Sequence, residues 1–483
     1  MRGAPVGRLA LPRARLRAAA LALAVLGAEL VVAGAVVEPR FTKLLAPVVA
    51  VAALALVFAL PFAATCLFMA LSASVLYDTF FTVNAAGRPV SAPELLLGAL
   101  LIVAVLRPRR VTWGGTAGGA LLAFLAVVMV ATLVAVSAGR VDLNTGINYA
   151  RPFFVLTFFW VVVRLFGEPG QVRMLLVVAV ALAALTGVVA LVVSLGGSVS
   201  SPLQGPGNQT ITADQGLGSL LRVRLPGVAL AYGLFWFVAG EALGARGRRA
   251  LWTAALAAAV ACIVVSSNRN MWLGLVLGLA VVLVAGGSAT RQRLTAAVAV
   301  GVVGIVLLVI AGPEVVGPTS ALSPLVERGQ TLLTPGRELQ DQSLKDRGKE
   351  TTQAWQTVRH HLLLGLGPGA PFGVFFKENL GGGRLKRVPQ RFIHNQYLYL
   401  VVVGGAGAVL AFLAYLGITL RAAWRGRHRD AALGTLFTGL VMVMLSSTVM
   451  LSFSDSSFLV LLALVGGAVY ALTQESEPLA DAM

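Results

Sequence analysis

The chain has 483 residues, of which 58% are apolar and 12% charged, and its mean hydropathy is +0.86. No soluble core absorbs that much apolar sequence, so a soluble globular fold is excluded. A net charge of +18 would suggest nucleic acid in a soluble protein, but arginines flanking membrane helices account for it, and no nucleic-acid partner is expected.

Apolar runs near the length needed to cross roughly 30 Å of hydrocarbon recur along the chain. Backbone polar groups in lipid have to be satisfied within the segment, which makes these runs helices. In chain order the pattern predicts spans over 18–37, 44–60, 62–77, 94–106, 115–136, 152–166, 174–195, 225–243, 250–266, 270–286, 294–311, 395–420, 431–450 and 456–473. The segment after Pro61 and the short run 94–106 are the weakest, so the count is about 12–14, the lower figure with a re-entrant or interfacial pair. The first run follows Arg2, Arg8, Arg13, Arg15 and Arg17. Ala33-Gly34-Ala35 resembles a signal-peptidase site, but the run is longer than a signal h-region, and it reads as a retained first helix. Cys66 and Cys262 both lie in apolar runs, which argues against a disulfide or a metal site built from them.

With the N-terminus inside, the inner flanks carry 19 Lys and Arg, the short outer loops 8, and the long loop 312–394 the other 11. The positive-inside rule then puts both termini in the cytoplasm and the 83-residue loop outside. The expected fold class is an all-α polytopic membrane protein with one long extracytoplasmic helical loop between the eleventh and twelfth spans. Its parts are an N-terminal transmembrane bundle (1–311), the loop (312–394), and C-terminal transmembrane helices with a short cytoplasmic tail (395–483). Within the loop, 345–362 reads as an amphipathic helix carrying Trp355 and Val358. Gly365–Gly369 reads as a turn-rich break and Gly381–Gly383 as a flexible one. A small helical cap over the outer mouth of the bundle follows.

Three of the four histidines, His360, His361 and His394, fall in this loop. His394, at the water–lipid boundary, can take a proton from a hydroxyl; an interfacial His that anchors the helix start is the plainer reading. Arg269 lies in a very short outer turn, Arg347 opens the amphipathic segment, Arg222 and Arg224 precede the span at 225, and Arg391 leads into His394. Guanidinium forks pair with phosphate oxygens, so a pyrophosphate at the membrane surface suits the group, although each arginine alone is as well read as solvated or contacting headgroups. His360 and His361 are adjacent, point to different helix faces and have no partner at ligand spacing, so no metal is expected. The Gly365–Gly369 N–H groups could meet a phosphate, and Asp455 is a weaker second base; a plain turn and a helix cap are the competing readings. The spans hold almost no ionisable groups, which disfavours an ion-coupled transporter.

Arg347, then His361-Leu362-Leu363-Leu364-Gly365-Leu366-Gly367-Pro368-Gly369, then His394-Asn395-Gln396-Tyr397-Leu398 with Val401, Gly405 and Gly407, occur in that order. Ser267-Asn268-Arg269-Asn270-Met271-Trp272 precedes them. This series resembles the motifs of the O-antigen ligase/polymerase superfamily of bacterial membrane glycosyltransferases. Two positions depart from its pattern: Leu362 stands for the usual Pro, and Val403 for a Glu nine residues after the His. His394 is therefore expected to act with arginines rather than with an acid. The resemblance implies transfer of a glycan from an undecaprenyl-diphosphate carrier to an acceptor hydroxyl, metal-independent, without cofactor and with inversion. His394 and Asn395 would be catalytic, and Arg269, Arg347, Arg224 and Arg391 would bind pyrophosphate. The implied partners are the lipid-linked glycan donor, a glycan, lipid or protein acceptor, and membrane lipid. The alternatives are a transporter or flippase of a polyprenyl-linked sugar and a non-catalytic scaffold. The donor sugar and the acceptor are not readable from the chain.

Overall fold

The computed structural model describes residues 54–55, 57–73, 75, 82–85, 88–107, 113–194, 211–212, 222–223, 225–244, 247–266, 268–285, 342–373, 375–379, 385–450, 453 and 455–474. The elements begin with α1 (Pro61–Ser72), the antiparallel pair β1 (Thr82–Ala85) and β2 (Arg88–Ser91), α2 (Ala92–Leu106), α3 (Gly115–Ser137), α4 (Leu143–Leu165) and α5 (Pro169–Ser194). The pair β3 (Ile211–Thr212) and β4 (Arg222–Val223) follows, then α6 (Val228–Gly233), α7 (Phe235–Gly244), α8 (Arg249–Val265) and α9 (Arg269–Ala285). The last part holds α10 (Gln342–Val358), the pair β5 (Phe375–Asn379) and β6 (Leu385–Pro389), α11 (Gln396–Gly426), α12 (Ala431–Ser446) and α13 (Ser456–Gln474).

Among the described residues, five helices (α3, α4, α5, α11 and α13) are long and apolar enough to cross a membrane, and six shorter apolar helices accompany them. This is a multi-pass membrane architecture. The expected spans 18–37 and 294–311, and most of 44–60, lie outside the described residues.

Short polar residues start several of these helices, because the first N–H groups of a helix have no partner within it. Asp142 Oδ1 accepts from Thr145 N–H at 2.8 Å, Asn395 Oδ1 from Leu398 N–H at 3.1 Å, and Asp430 Oδ1 from Ala432 N–H at 3.0 Å. Asp455 Oδ1 takes Ser457 N–H at 2.9 Å at the start of α13, so the cap reading describes its observed contact. Glu94, in the first turn of α2, accepts from Ser91 N–H at 2.9 Å and pairs with Arg151 on α4.

α11 packs along α3 and also meets α12 and α13, while α8 lies on α5, α9 on α12, and α13 on α4. Aromatic rings fill the space below the start of α11. Phe124 meets Phe153 and Phe412 with centroids 5.5 and 5.0 Å apart, and Phe412 meets Phe453 at 4.8 Å. Gln396 is fully buried: its N–H donates to Ser447 O at 2.9 Å, its Oε1 accepts from Phe453 N–H at 2.9 Å, and its amide nitrogen donates to Ile393 O. Gln396 thus ties the start of α11 to the end of α12 through its backbone and to the approach to α13 through its side chain.

Four expectations are corrected. The span expected from 152 begins at Leu143 and carries Pro152 inside, followed by a tighter turn over Val155–Thr157. Proline removes a helix hydrogen bond, and the turn absorbs that loss. The span 225–243 is two helices that part at Leu234. The loop is not purely helical: Phe375–Asn379 pairs with Leu385–Pro389, Asn379 opposite Leu385, around the Gly-rich segment read as a flexible break. Aromatic and branched residues on either side of that segment favour strands. In α10, Ala354 and Val358 are fully buried, whereas Trp355 is 50% exposed, so the buried stripe runs through Ala354 rather than Trp355.

The helix expected over 395–420 runs to Gly426 and is interrupted at Gly404 (φ −150°, ψ 20°) and Gly405 (φ 64°, ψ −159°). The loop Leu362–Gly367 fills this break. Leu366 and Gly367 N–H both donate to Val402 O, at 2.8 and 3.1 Å, and Ala406 N–H donates to Leu362 O at 2.7 Å. The fit needs glycine on both sides. A Cβ at Gly365 (φ 67°) would lie 2.5 Å from Val401 O and Val402 O, and one at Gly405 would lie 2.4 Å from Leu363 C and O.

Candidate functional site

Glu350, His394, Asn395, Arg347 and Asn270 gather at one end of the bundle, where α11 and α9 begin and α12 ends. The opposite end holds Arg173, whose guanidinium lies 2.8 Å from Asp430, and Arg164, which is buried against Trp113 and donates to Ala104 O and Arg107 O.

His394 sits just before the Asn395 cap of α11. Its Nδ1 lies 2.8 Å from Glu350 Oε2, and its backbone N–H donates to Glu350 Oε1 at 2.8 Å. The imidazole is 30% exposed and the Glu350 side chain 5%. Both carboxylate oxygens of a buried acid are therefore engaged by one residue. This corrects the expectation that His394 acts without an acid. The acid comes not from α11, where Val403 is buried, but from α10. Periodicity could have found it: Glu350 is four and eight residues before the buried Ala354 and Val358, on the same face of the helix.

Arg347 is one turn before Glu350 on α10. Its Nη1 donates to Val449 O at 3.2 Å, and Asn270 Nδ2 donates to the same carbonyl at 3.1 Å. Arg269 is the first residue of α9, beside Asn270 in the chain, so Arg347 and the start of α9 converge on one carbonyl. At the start of α9 the N–H groups of Asn270, Met271 and Trp272 are already bonded to Asn268, so what this end can offer an anion is the guanidinium of Arg347. Arg224 lies outside the described residues.

Arg391 is placed differently. Its Nη1 donates to Gly369 O at 3.1 Å and its guanidinium stands 5.9 Å from the Tyr149 ring centroid. Arg140, from the turn after α3, donates to Gly365 O at 3.3 Å and lies 3.4 Å from His361 Nδ1. The two arginines thus hold the carbonyls of two positive-φ glycines in the Gly365–Gly369 loop. Of that loop's N–H groups, those of Leu366 and Gly367 are bound to Val402 O and cannot face a phosphate. Nearby, hydrogen bonds from the Thr145 hydroxyl and N–H, with a contribution from the Arg391 charge, hold the Asp142 carboxyl below its ordinary value.

Asn395 uses its carbonyl oxygen as the helix cap. His360 accepts from Arg359 Nε at 3.1 Å on the exposed side of the loop. Among the described residues, no three of His, Cys, Asp and Glu gather as a metal-binding group. Chemically, the end of the bundle offers an imidazole backed by a carboxylate, beside a cationic side chain that suits a phosphate.

Residues 254–413 match a protein-family model described as O-antigen ligase. The matched stretch runs from within α8 through α9 and α10 to the first half of α11, and so includes Arg269, Arg347, Glu350, His394 and Asn395. No curated protein matches the chain.

Proposed function

Because the chain belongs to the O-antigen ligase-like family, we propose that it transfers a glycan from an undecaprenyl-diphosphate carrier to an acceptor hydroxyl at the outer membrane–water boundary. The family implies a membrane glycosyltransferase-like enzyme. The observation that carries the finer reading is the His394–Glu350 pair, at the same end of the bundle as Arg347 and the start of α9.

In this reading His394 takes the proton of the acceptor hydroxyl as its oxygen attacks the anomeric carbon. The bond from that carbon to the phosphate oxygen breaks, and undecaprenyl diphosphate leaves with the electron pair. One displacement of this kind inverts the anomeric centre. Arg347 and Arg269 neutralise the charge that grows on the leaving pyrophosphate, with Arg224 as a further contact. Asn395 keeps its amide nitrogen for a sugar hydroxyl, since its oxygen caps α11. No step calls for a metal. The reaction faces the periplasmic side of the cytoplasmic membrane, as the distribution of Lys and Arg favours.

Membranes carrying the protein, mixed with undecaprenyl-diphosphate glycan and acceptor, are expected to yield transferred or lengthened glycan and free undecaprenyl diphosphate. His394→Ala lowers the rate by about 10²–10⁴-fold and Arg347→Ala by about 10²–10³-fold, at unchanged expression. Full activity in both variants would refute the site. Movement of the lipid-linked sugar across the membrane without release of undecaprenyl diphosphate would favour a flippase, and loss of activity with EDTA would refute the metal-free mechanism.

A further inference from the structure

We infer that Glu350 is a positioning residue that fixes the tautomer and direction of His394, so that the helix carrying the phosphate-binding Arg347 also sets the base. The inference rests on the proposed role of His394. A carboxylate only accepts hydrogen bonds, and an imidazole in its neutral form carries one N–H. With Glu350 Oε2 2.8 Å from Nδ1, the ring hydrogen is on Nδ1 and the lone pair is on Nε2. Among the described residues nothing hydrogen-bonds Nε2, and the ring is 30% exposed. The opposite tautomer would present N–H where the acceptor proton has to go.

The second oxygen makes the arrangement specific. Glu350 Oε1 is occupied by the His394 backbone N–H at 2.8 Å, so the carboxylate cannot rotate away without stranding a donor beside a 5% exposed side chain. Backbone and ring are held by one group, which fixes the side-chain torsions of His394 as well as its proton. Arg347 lies three residues earlier on the same helix, which places donor binding and base alignment on one rigid element.

Glu350→Gln tests this because a carboxamide has the carboxylate's shape but only one acceptor oxygen. If that oxygen keeps the His394 backbone N–H, the amide NH₂ faces Nδ1 and drives the hydrogen to Nε2. The base is then blocked although the ring stays in place. An Asp→Asn change behind the histidine of a serine-protease triad lowers turnover about 10⁴-fold for this reason. Glu350→Gln is expected to lower kcat by about 10²–10⁴-fold and to leave KM for the lipid-linked donor within about twofold. Glu350→Asp restores part of kcat. In a His394→Ala background, Glu350→Gln adds less than about twofold to the loss in residual single-turnover rate, because its effect passes through the imidazole.

Wild-type turnover in Glu350→Gln would overturn the inference. So would a loss of undiminished size in the His394→Ala background, or a rise in KM with kcat unchanged, either of which assigns Glu350 to packing or donor binding. Inactive His394→Ala with active Glu350→Gln removes this inference alone. Fully active His394→Ala removes the base and the inference together.

Discussion

Replacing Gly405 by Ala tests the joint between the Leu362–Gly367 loop and α11. Its backbone, at φ 64° and ψ −159°, occupies a region open essentially to glycine, where another residue costs about 1–3 kcal/mol. The new Cβ would stand 2.4 Å from the Leu363 carbonyl carbon and oxygen. Because those atoms are backbone, a rotamer change cannot relieve the contact. The loop has to withdraw, and the bonds from Leu366, Gly367 and Ala406 N–H break with it. At about 0.5–1.5 kcal/mol each, added to the strain, the total is about 3–7 kcal/mol. Since 1.4 kcal/mol is tenfold, even the low end lowers the folded-to-unfolded ratio by about a hundredfold. Gly417, later on α11, has open space at its Cβ position, so Gly417→Ala is expected to be neutral or to stabilise by up to about 1 kcal/mol. The assay is the apparent thermal midpoint of each variant in detergent, followed by tryptophan fluorescence, together with transfer activity. Equal midpoints and equal activity in Gly405→Ala and Gly417→Ala would refute the interlocked-glycine reasoning.

Asn395→Ala is expected to destabilise the protein by about 1 kcal/mol through the lost cap, whereas Asn395→Asp retains it; thermal midpoints distinguish the two. Arg391→Ala should lower stability by about 1–2 kcal/mol by releasing Gly369 O while leaving donor KM unchanged, and a KM rise above about tenfold would return Arg391 to the pyrophosphate set. The Asp142 carboxyl is held below its ordinary value. Its contribution is therefore complete above the unfolded pKa and is lost as pH falls through the lower folded value. Amide exchange at Thr145 is expected to stay protected on acidification until that lower value is passed, and loss of protection at the ordinary carboxylate value would contradict the assignment.

The membrane helices were legible because a run such as Gly115–Ser137 needs only length and apolar content to declare itself. His394-Asn395 was legible because a polar pair at the mouth of an apolar helix is unusual, and Asn at that place is a cap residue. Glu350 was harder to read. It lies 44 residues from its partner, and a carboxylate in a charged loop looks solvated until the buried stripe through Ala354 and Val358 is followed back to it. The break in α11 was hidden for a different reason. Paired glycines in an apolar run read as small packing residues, and only the loop docked against Gly405 explains why a glycine is required there. The role of Arg391 turned on a carbonyl 22 residues away, that of Gly369, a contact that charge patterning does not describe.

An interrupted helix is ordinarily a place where a membrane protein bends, because its freed backbone groups exchange partners easily. In α11 those groups are already bonded to a second segment of the same chain, and two glycines are locked backbone to backbone. The interruption therefore behaves as a mortise rather than a hinge. The first half of α11, which follows His394, is held to the Leu362–Gly367 loop as well as to the second half, so it cannot swing without carrying that loop with it.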